Sequence, residues 1–397
     1  MDYMTFNPAG YDFPRPRAPV LPTLRLRSLR FCAQTDAVEL VTSANVKLYS
    51  RGRYAMTEAY RLSGVGLGST LMAPAYHCRT MLDPAIRLGA KVALYPVRAD
   101  LQPDLDGVLA CLRACSHPPA ALVLTHYFGF EQPLDAIVAF CQSHGIVLIE
   151  DCSHCLFLPG KATGVGLRGR YCISSPYKFF PIEDGGVLWA NQGAELTPQK
   201  NAPPGVVLEF KAVARSLQRA LSASKIPTTE RLHQTVEWEP VELAGADLQN
   251  STEQTSKQYV VAAENDCCLA VSRWAMCHTD THRLKVRRRS NYRHWLAAVA
   301  GLPNCRVLFP DLPDDCVPYM FPLEIRYPNV HFLALKRLAV PVGRWDDMAI
   351  SACAVASSYR TSLLHLPCHQ DLTEELLHWL SDTVVRVMSS DGPRTHS

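Results

Sequence analysis

The sequence predicts an α/β protein: a large domain with a mostly parallel sheet flanked by helices, and a smaller C-terminal α/β domain. Three observations carry this. Between Tyr49 and Trp189, short apolar runs alternate with amphipathic runs of helical period, the pattern of a doubly wound sheet. One run, Ile146-Val147-Leu148-Ile149, is apolar throughout, as a strand covered on both faces requires, and it breaks directly into Glu150 and Asp151. The chain also has 397 residues, which suggests about two domains.

Residues 1 to about 30 are rich in Pro and Arg, with PRPRAP and LRLRSLR, and have no clean period. They read as an arm, expected over 1–45, that lies on the body or on a partner subunit; a solvated tail is the equal alternative. From Tyr49 the chain becomes orderly. AMTEAYRLSGVG reads as a helix that ends at Gly64 or Gly66, which puts Gly52, Arg53 and Tyr54 at a helix N-terminus, a natural seat for a phosphate. STLMAPAYHC and RTMLDPAIRLGAKVALYPV read as strand, helix and strand, with Gly89 as the helix stop. LDGVLACLRAC, ALVLTHYFG and PLDAIVAFCQSHG then give helix, strand and helix before the Ile146 strand.

After Trp189 a Pro-rich connector, an amphipathic helix over LEFKAVARSLQRALSASK and a polar stretch with the character of a loop lead to Gln258. RLKVRRRSNYRHWLAAVAG reads as a long helix whose charges lie on the surface or between domains. VPYMFPLEI, KRLAVPVGRWD and SLLHLPCHQDLTEELLHWLSDTVVRV supply two or three strands packed with helices. The expected division is a large domain over 46–250 and a small one over 251–397.

Composition excludes several classes. Apolar residues make up 48 % and charged residues 19 %, so a sizeable core is expected and disorder is not. A net charge of +3 argues against a nucleic-acid surface. No run reaches the roughly 20 apolar residues of a membrane span. Fifteen cysteines, an odd number scattered through apolar segments with no apolar signal core at the start, suggest reduced thiols in a cytoplasmic protein. Cys152-Ser-His-Cys155 has no second pair at zinc spacing, so no metal site is expected.

An acid at the C-terminal end of a buried strand stands where open α/β sheets keep their ligands. Twenty-seven residues beyond Asp151 comes Lys178, preceded by Ser174, Ser175, Pro176 and Tyr177 and followed by the EDGG turn. Lysine, acid and a serine-rich turn are parts that can hold pyridoxal phosphate: the amine condenses with the cofactor aldehyde and the carboxylate keeps the pyridine nitrogen protonated. On these two residues alone, an Asp capping a helix and a surface Lys is the commoner arrangement.

The succession GLGSTLMAPAYHC, LGAKVALYPV, ALVLTHYFGFEQPLDAIVAFCQSHGIVLIEDCSH and SSPYKFFPIEDGGVL resembles the DegT/DnrJ/EryC1/StrS family of pyridoxal-phosphate sugar aminotransferases, closely over about Tyr49 to Ala190 and loosely elsewhere. The resemblance implies fold type I, a homodimer with active sites at the interface, and amino transfer from an amino acid, glutamate foremost, to a keto sugar, keto cyclitol or related small ketone. It gives Lys178 the catalytic role and Asp151 the ring nitrogen. His154 stands where the family has Gln or His facing the ring oxygen, and Ser175, with Ser174 as the alternative, supplies a hydroxyl to the phosphate beside Gly52, Arg53 and Tyr54.

The family's stacking aromatic falls at Cys78 here, which leaves His77 and then Tyr76 as candidate rings. His126, in register with the family's H-x-x-G, is a candidate for lining the substrate site. So are Arg344, which could pin a donor carboxylate or brace its own loop through Asp346, and Trp345, which could cover a sugar or base. Ser272 and Arg273 are candidates for reaching a partner's phosphate, with a solvated helix face as the alternative. Dehydration or decarboxylation with the same cofactor, or a regulatory protein of the same fold, are the other functions open to this sequence.

Overall fold

Strands whose two faces are both covered need apolar residues at every position, and the central strands meet this demand with a consistent division. The computed structural model describes residues 2–6, 13–30, 36–159, 165–191, 193–196, 204–224, 248–251 and 256–390. Its strands are β1 (Tyr3–Phe6), β2 (Val46–Tyr49), β3 (Thr70–Pro74), β4 (Lys91–Tyr95), β5 (Pro119–Thr125), β6 (Val147–Asp151), β7 (Tyr171–Ser174), β8 (Gly186–Ala190), β9 (Leu248–Ser251), β10 (Cys305–Val307), β11 (Met320–Ile325), β12 (Met348–Ala349) and β13 (Leu363–Pro367). Helices are α1 (Glu39–Thr42), α2 (Gly52–Leu62), α3 (Arg79–Arg87), α4 (Leu105–Arg113), α5 (Asp135–His144), α6 (Val206–Ser224), α7 (Ala270–His278), α8 (Thr281–Ala298), α9 (Pro328–Arg337), α10 (Ala354–Ser362) and α11 (Glu374–Met388).

The large sheet has the order β2-β8-β7-β6-β5-β3-β4. Strands β4, β3, β5, β6 and β7 are mutually parallel, whereas β8 runs antiparallel to both β7 and β2. Alternation along the strands sorts side chains into two cores. Leu71, Ala73, Ala121, Val123 and Ile149 pack with Ala55 and Ala59 of α2 and Leu82 of α3. Met72, Leu122, Leu124 and Leu148 face the other way, onto Val108 of α4 and Ile137 of α5. The same parity carried to the end of β6 sends Asp151 toward α2 and Glu150 toward the opposite face.

The second core continues without a break into the C-terminal part, where Trp295 of α8, Phe321 of β11 and Trp379 of α11 are buried. There β10, β11 and β13 form an antiparallel sheet. Four residues of the expected arm do more than lie on the body: β1 is the central strand of a third sheet, between β12 and β9. Most of the Pro-rich connector and of the polar stretch before Gln258 lies outside the described residues. The helical expectation for LEFKAVARSLQRALSASK holds in α6, whose Val206, Phe210, Leu217 and Leu221 are exposed. No helix of the described residues is long and apolar enough to cross a membrane.

Candidate active site

Asp151 is the last residue of β6 and is paired in register with Thr125, the last of β5. Ser174 closes β7, and one 3-10 turn, Pro176–Lys178, follows at once. Three neighbouring strands thus end at one edge, under the N-terminus of α2. The narrow cleft there brings together Gly52, Arg53, Asp151, His154, Ser175, Lys178 and Trp345 of the sequence candidates. Arg51, Met56, Cys78, Thr80, Thr125, Ser153 and Tyr177 complete its wall.

The acid is buried, and one of its oxygens accepts the Ser153 N–H at 2.9 Å. Loss of water raises its pKa, against the pull of Ser153, Lys178 and His126. For Lys178, burial works against the ammonium, but the phenols of Tyr177 and Tyr319, the Cys78 thiol and Asp151 outweigh it, and the net shift is upward. The amine lies 5.2 Å from the centre of the Tyr319 ring. His154 is buried and kept neutral, first by desolvation and then by the Lys178 charge. Its Nδ1 accepts the Phe128 N–H at 3.4 Å, which leaves Nε2 to carry the hydrogen. The imidazole packs on Tyr319 at 4.6 Å and on Trp345 at 5.1 Å.

No side chain caps the N-terminus of α2, so its first N–H groups face the cleft end. Gly52 leaves room there for Ser175 Oγ, which a Cβ at this position would push aside. That hydroxyl donates to Ser153 Oγ at 3.1 Å.

Eight candidates stand outside the cleft wall, Ser174, Ser272 and Arg273 among them. Tyr54 is buried against Tyr259, ring centres 5.6 Å apart. His77 is fully buried with both nitrogens engaged, Nδ1 with the Ala75 carbonyl at 3.1 Å and Nε2 with the Ala349 N–H at 3.3 Å. Tyr76 turns to the other core, where its hydroxyl meets His365 Nε2 at 3.0 Å and its ring packs on Trp345 at 4.9 Å. His126 accepts the Gln132 N–H at 3.0 Å through Nδ1 and lies 3.0 Å from Glu150 through Nε2. Arg344 braces its own loop through Asp346 at 3.2 Å and the Thr361 carbonyl at 3.3 Å, with its guanidinium 3.8 Å over Phe332. His126, Glu150 and Cys152 do bring ligand-type atoms within 4.8 Å of one another. The imidazole nitrogens and both carboxylate oxygens already have protein partners there, so an ion would have to displace them.

Pyridoxal phosphate fits this donor set: an amine, a buried carboxylate, a neutral imidazole N–H and an uncapped helix start over a glycine. The buried Thr125 hydroxyl, on the cleft wall and without a hydrogen-bond partner in the structure, adds an unused polar atom. The cavity volume is about 40 Å³, room for a few water molecules. Sequence reasoning missed Thr125, Ser153 and Tyr319. The first was within reach, since it ends the strand beside Asp151; Tyr319 arrives from the distant loop before β11 and has no local signature.

Fold and site together define the class: a fold type I protein of the pyridoxal-phosphate kind. Residues 37–199 match the model of the DegT/DnrJ/EryC1/StrS aminotransferase family. Among solved structures, it is similar to the aminotransferase TlmJ from Streptoalloteichus hindustanus, with TM-score 0.60, 18 % identity and coverage of 89 % of this chain and 88 % of that one. It is also similar to a putative sugar aminotransferase, Spr1654, from Streptococcus pneumoniae in its PLP form, with TM-score 0.61, 13 % identity and 93 % and 98 % coverage. In sequence it is 26 % identical over 183 residues to a pleiotropic regulatory protein of Geobacillus stearothermophilus. That match covers 42 % of this chain and 47 % of the relative, so the chain spans about half the length of the curated relative it matches.

Proposed function

We propose that the chain is a pyridoxal-phosphate-dependent aminotransferase that moves an amino group from an amino acid, glutamate foremost, to a keto sugar, keto cyclitol or related small ketone. The observation that carries this is the meeting of Lys178, Asp151 and a neutral His154 in one narrow cleft under the start of α2. When bound, the cofactor supplies an electron sink for the charge left on the donor's α-carbon as its proton departs.

The chain's own groups would do the rest. Gly52, Arg53 and Ser175 would hold the phosphate, and Asp151 would hold the ring nitrogen as an ion pair. His154 would donate its Nε2 hydrogen to the ring oxygen. Lys178 Nζ would hold the aldehyde carbon and then, set free by the donor amine, take the proton from the α-carbon. The upward shift of the lysine requires its own proton to leave first, and Asp151 and the Tyr177 and Tyr319 phenols stand near enough to influence that step. Burial of Asp151, His154 and Ser175 keeps water from the reacting atoms. A homodimer in the cytoplasm, with domain boundaries near residues 45 and 250, belongs to the same reading.

The test is the visible absorption of the protein with pyridoxal phosphate, before and after L-glutamate. A band that glutamate converts, and that is absent in Lys178→Ala, supports amino transfer; full turnover in Lys178→Ala sinks it. A second reading, a regulatory protein of this fold, is favoured by the name of the Geobacillus relative. It gains if cofactor binds and no amino acid alters the spectrum.

A further inference from the structure

We propose that Arg288 is the positioning residue for Lys178, fastening the backbone of the lysine turn to the loop that carries Tyr319. The inference rests on the aminotransferase reading for its purpose, but its geometry stands alone.

The lysine turn is short. Its internal bonds are Lys178 N–H to Ser175 O at 3.1 Å and Phe179 N–H to Pro176 O at 2.8 Å, and no helix continues from it. Something outside the turn must therefore fix the carbonyl groups that point away from the sheet. Arg288, from the second turn of α8, does so. It is fully buried, and its Nη2 donates to the Lys178 carbonyl at 2.8 Å. Nη1 donates to the Pro318 carbonyl at 3.0 Å and the Tyr319 carbonyl at 3.1 Å, and Nε donates to Gln370 Oε1 at 2.8 Å. Gln370 in turn donates to the Phe179 carbonyl at 2.8 Å.

Two successive carbonyls of the lysine turn are thus held by one arginine and one glutamine from the C-terminal part. The guanidinium lies 4.5 Å over the Phe179 ring. It forms no ion pair among the described residues, and burial brings its pKa down to about 10. A buried cation held only by carbonyl and amide oxygens is costly, and the structure keeps it where it meets both the lysine and the ring facing that lysine. Only a planar fork reaches diverging carbonyls at once, so lysine is no equivalent here. Sequence reasoning placed the charges of Arg287-Arg288-Arg289 on the surface or between domains; Arg288 is buried where the C-terminal part meets the lysine turn, and its partners are backbone carbonyls and an amide rather than an acid.

The experiment uses the full chain with Arg288→Lys and Gln370→Leu, each checked for folding by circular dichroism and thermal unfolding. Two readouts are taken: formation of the Lys178 adduct with pyridoxal phosphate, trapped with borohydride and mapped by mass spectrometry together with the pH midpoint of the visible band, and hydrogen exchange of the 176–182 peptide without cofactor. We expect Arg288→Lys to slow adduct formation by about tenfold to a hundredfold, the scale on which misplaced reacting groups show themselves, to move the pH midpoint, and to speed exchange. Gln370→Leu should shift all three in the same sense and by less. Wild-type rates, midpoint and exchange in a folded Arg288→Lys overturn the clamp. A wild-type protein that forms no adduct overturns the aminotransferase reading, and exchange alone then decides on Arg288. If Arg288→Lys does not fold, Gln370→Leu decides: unchanged readouts there overturn the proposal.

Discussion

Two adjacent carboxylates, Glu150 and Asp151, point to opposite faces of one strand and have opposite electrostatics. Burial works against the Glu150 charge, but His126 and the Gly169 and Gly166 N–H groups outweigh it, and its pKa is lowered. Its oxygens accept Gly166 N at 2.9 Å, Arg168 N at 2.7 Å and Gly169 N at 2.5 Å, so this acid builds the 166–169 turn. With a folded pKa below the ordinary 4.5, it contributes stability that is complete above 4.5 and fades as pH falls further. Glu150→Gln should cost about 3 kcal/mol in a urea titration near neutrality, because an amide nitrogen then faces backbone donors. Asp151 is raised, so its ionised form burdens the empty protein as pH climbs past its usual 3.8. Asp151→Asn should therefore raise the melting temperature of the cofactor-free protein at neutral pH while abolishing amino transfer. A lower melting temperature would count against the burial argument. The parity that separates the two acids is readable in the sequence; which acid serves the site follows only from knowing which face α2 covers.

At the scale of elements, the site is a set of strand ends and one helix start, and this much was legible. Apolar runs, helix stops at Gly89 and Gly145 with φ of +82° and +65°, and the Lys178 turn all fall where the pattern puts them. The α2 start makes the sharpest prediction. Gly52→Ala forces a Cβ onto Ser175 Oγ, and we expect cofactor affinity, measured by fluorescence titration, to fall at least about tenfold, as about 1.4 kcal/mol of lost contact would give. Unchanged affinity would mean that the phosphate lies elsewhere. Less legible were the loops that deliver rings. His77 and Tyr76 are one residue apart, and a single step of parity sends the first to the small β12-β1-β9 sheet and the second to the opposite core. The Arg344–Asp346 brace was one of the two arrangements the sequence offered, but neither order nor spacing could say that Trp345, beside it, enters the cleft wall. The Trp345 position depends on rings such as Tyr76 and His154, which lie some two hundred residues or more away in the chain.

At the scale of the molecule, the least legible feature is the three-stranded sheet, because each strand comes from a different region of the chain. Tyr3 pairs with Ala349 on one side and Ser251 on the other. Its ring is fully buried, with the Arg79 guanidinium 3.4 Å away. Four-residue strands with no apolar run cannot announce such partners. Tyr3→Ala should lower stability by about 3 kcal/mol, the usual loss for a buried aromatic ring, with no change of the active-site residues themselves. An unaltered urea midpoint would show the strand to be an ornament. The β1 pairing also imposes a timetable on synthesis. The large sheet is complete once Ala190 has left the ribosome, but Tyr3 must wait for Ser251 to gain its first neighbour and for Ala349 to gain its second. At ribosomal speeds of roughly 5–20 residues per second, the first strand made stays unpaired for many seconds and is among the last to be placed. The third sheet is therefore expected to close after the large one, and a nascent chain halted before residue 248 would hold a formed large sheet and an unpaired first strand.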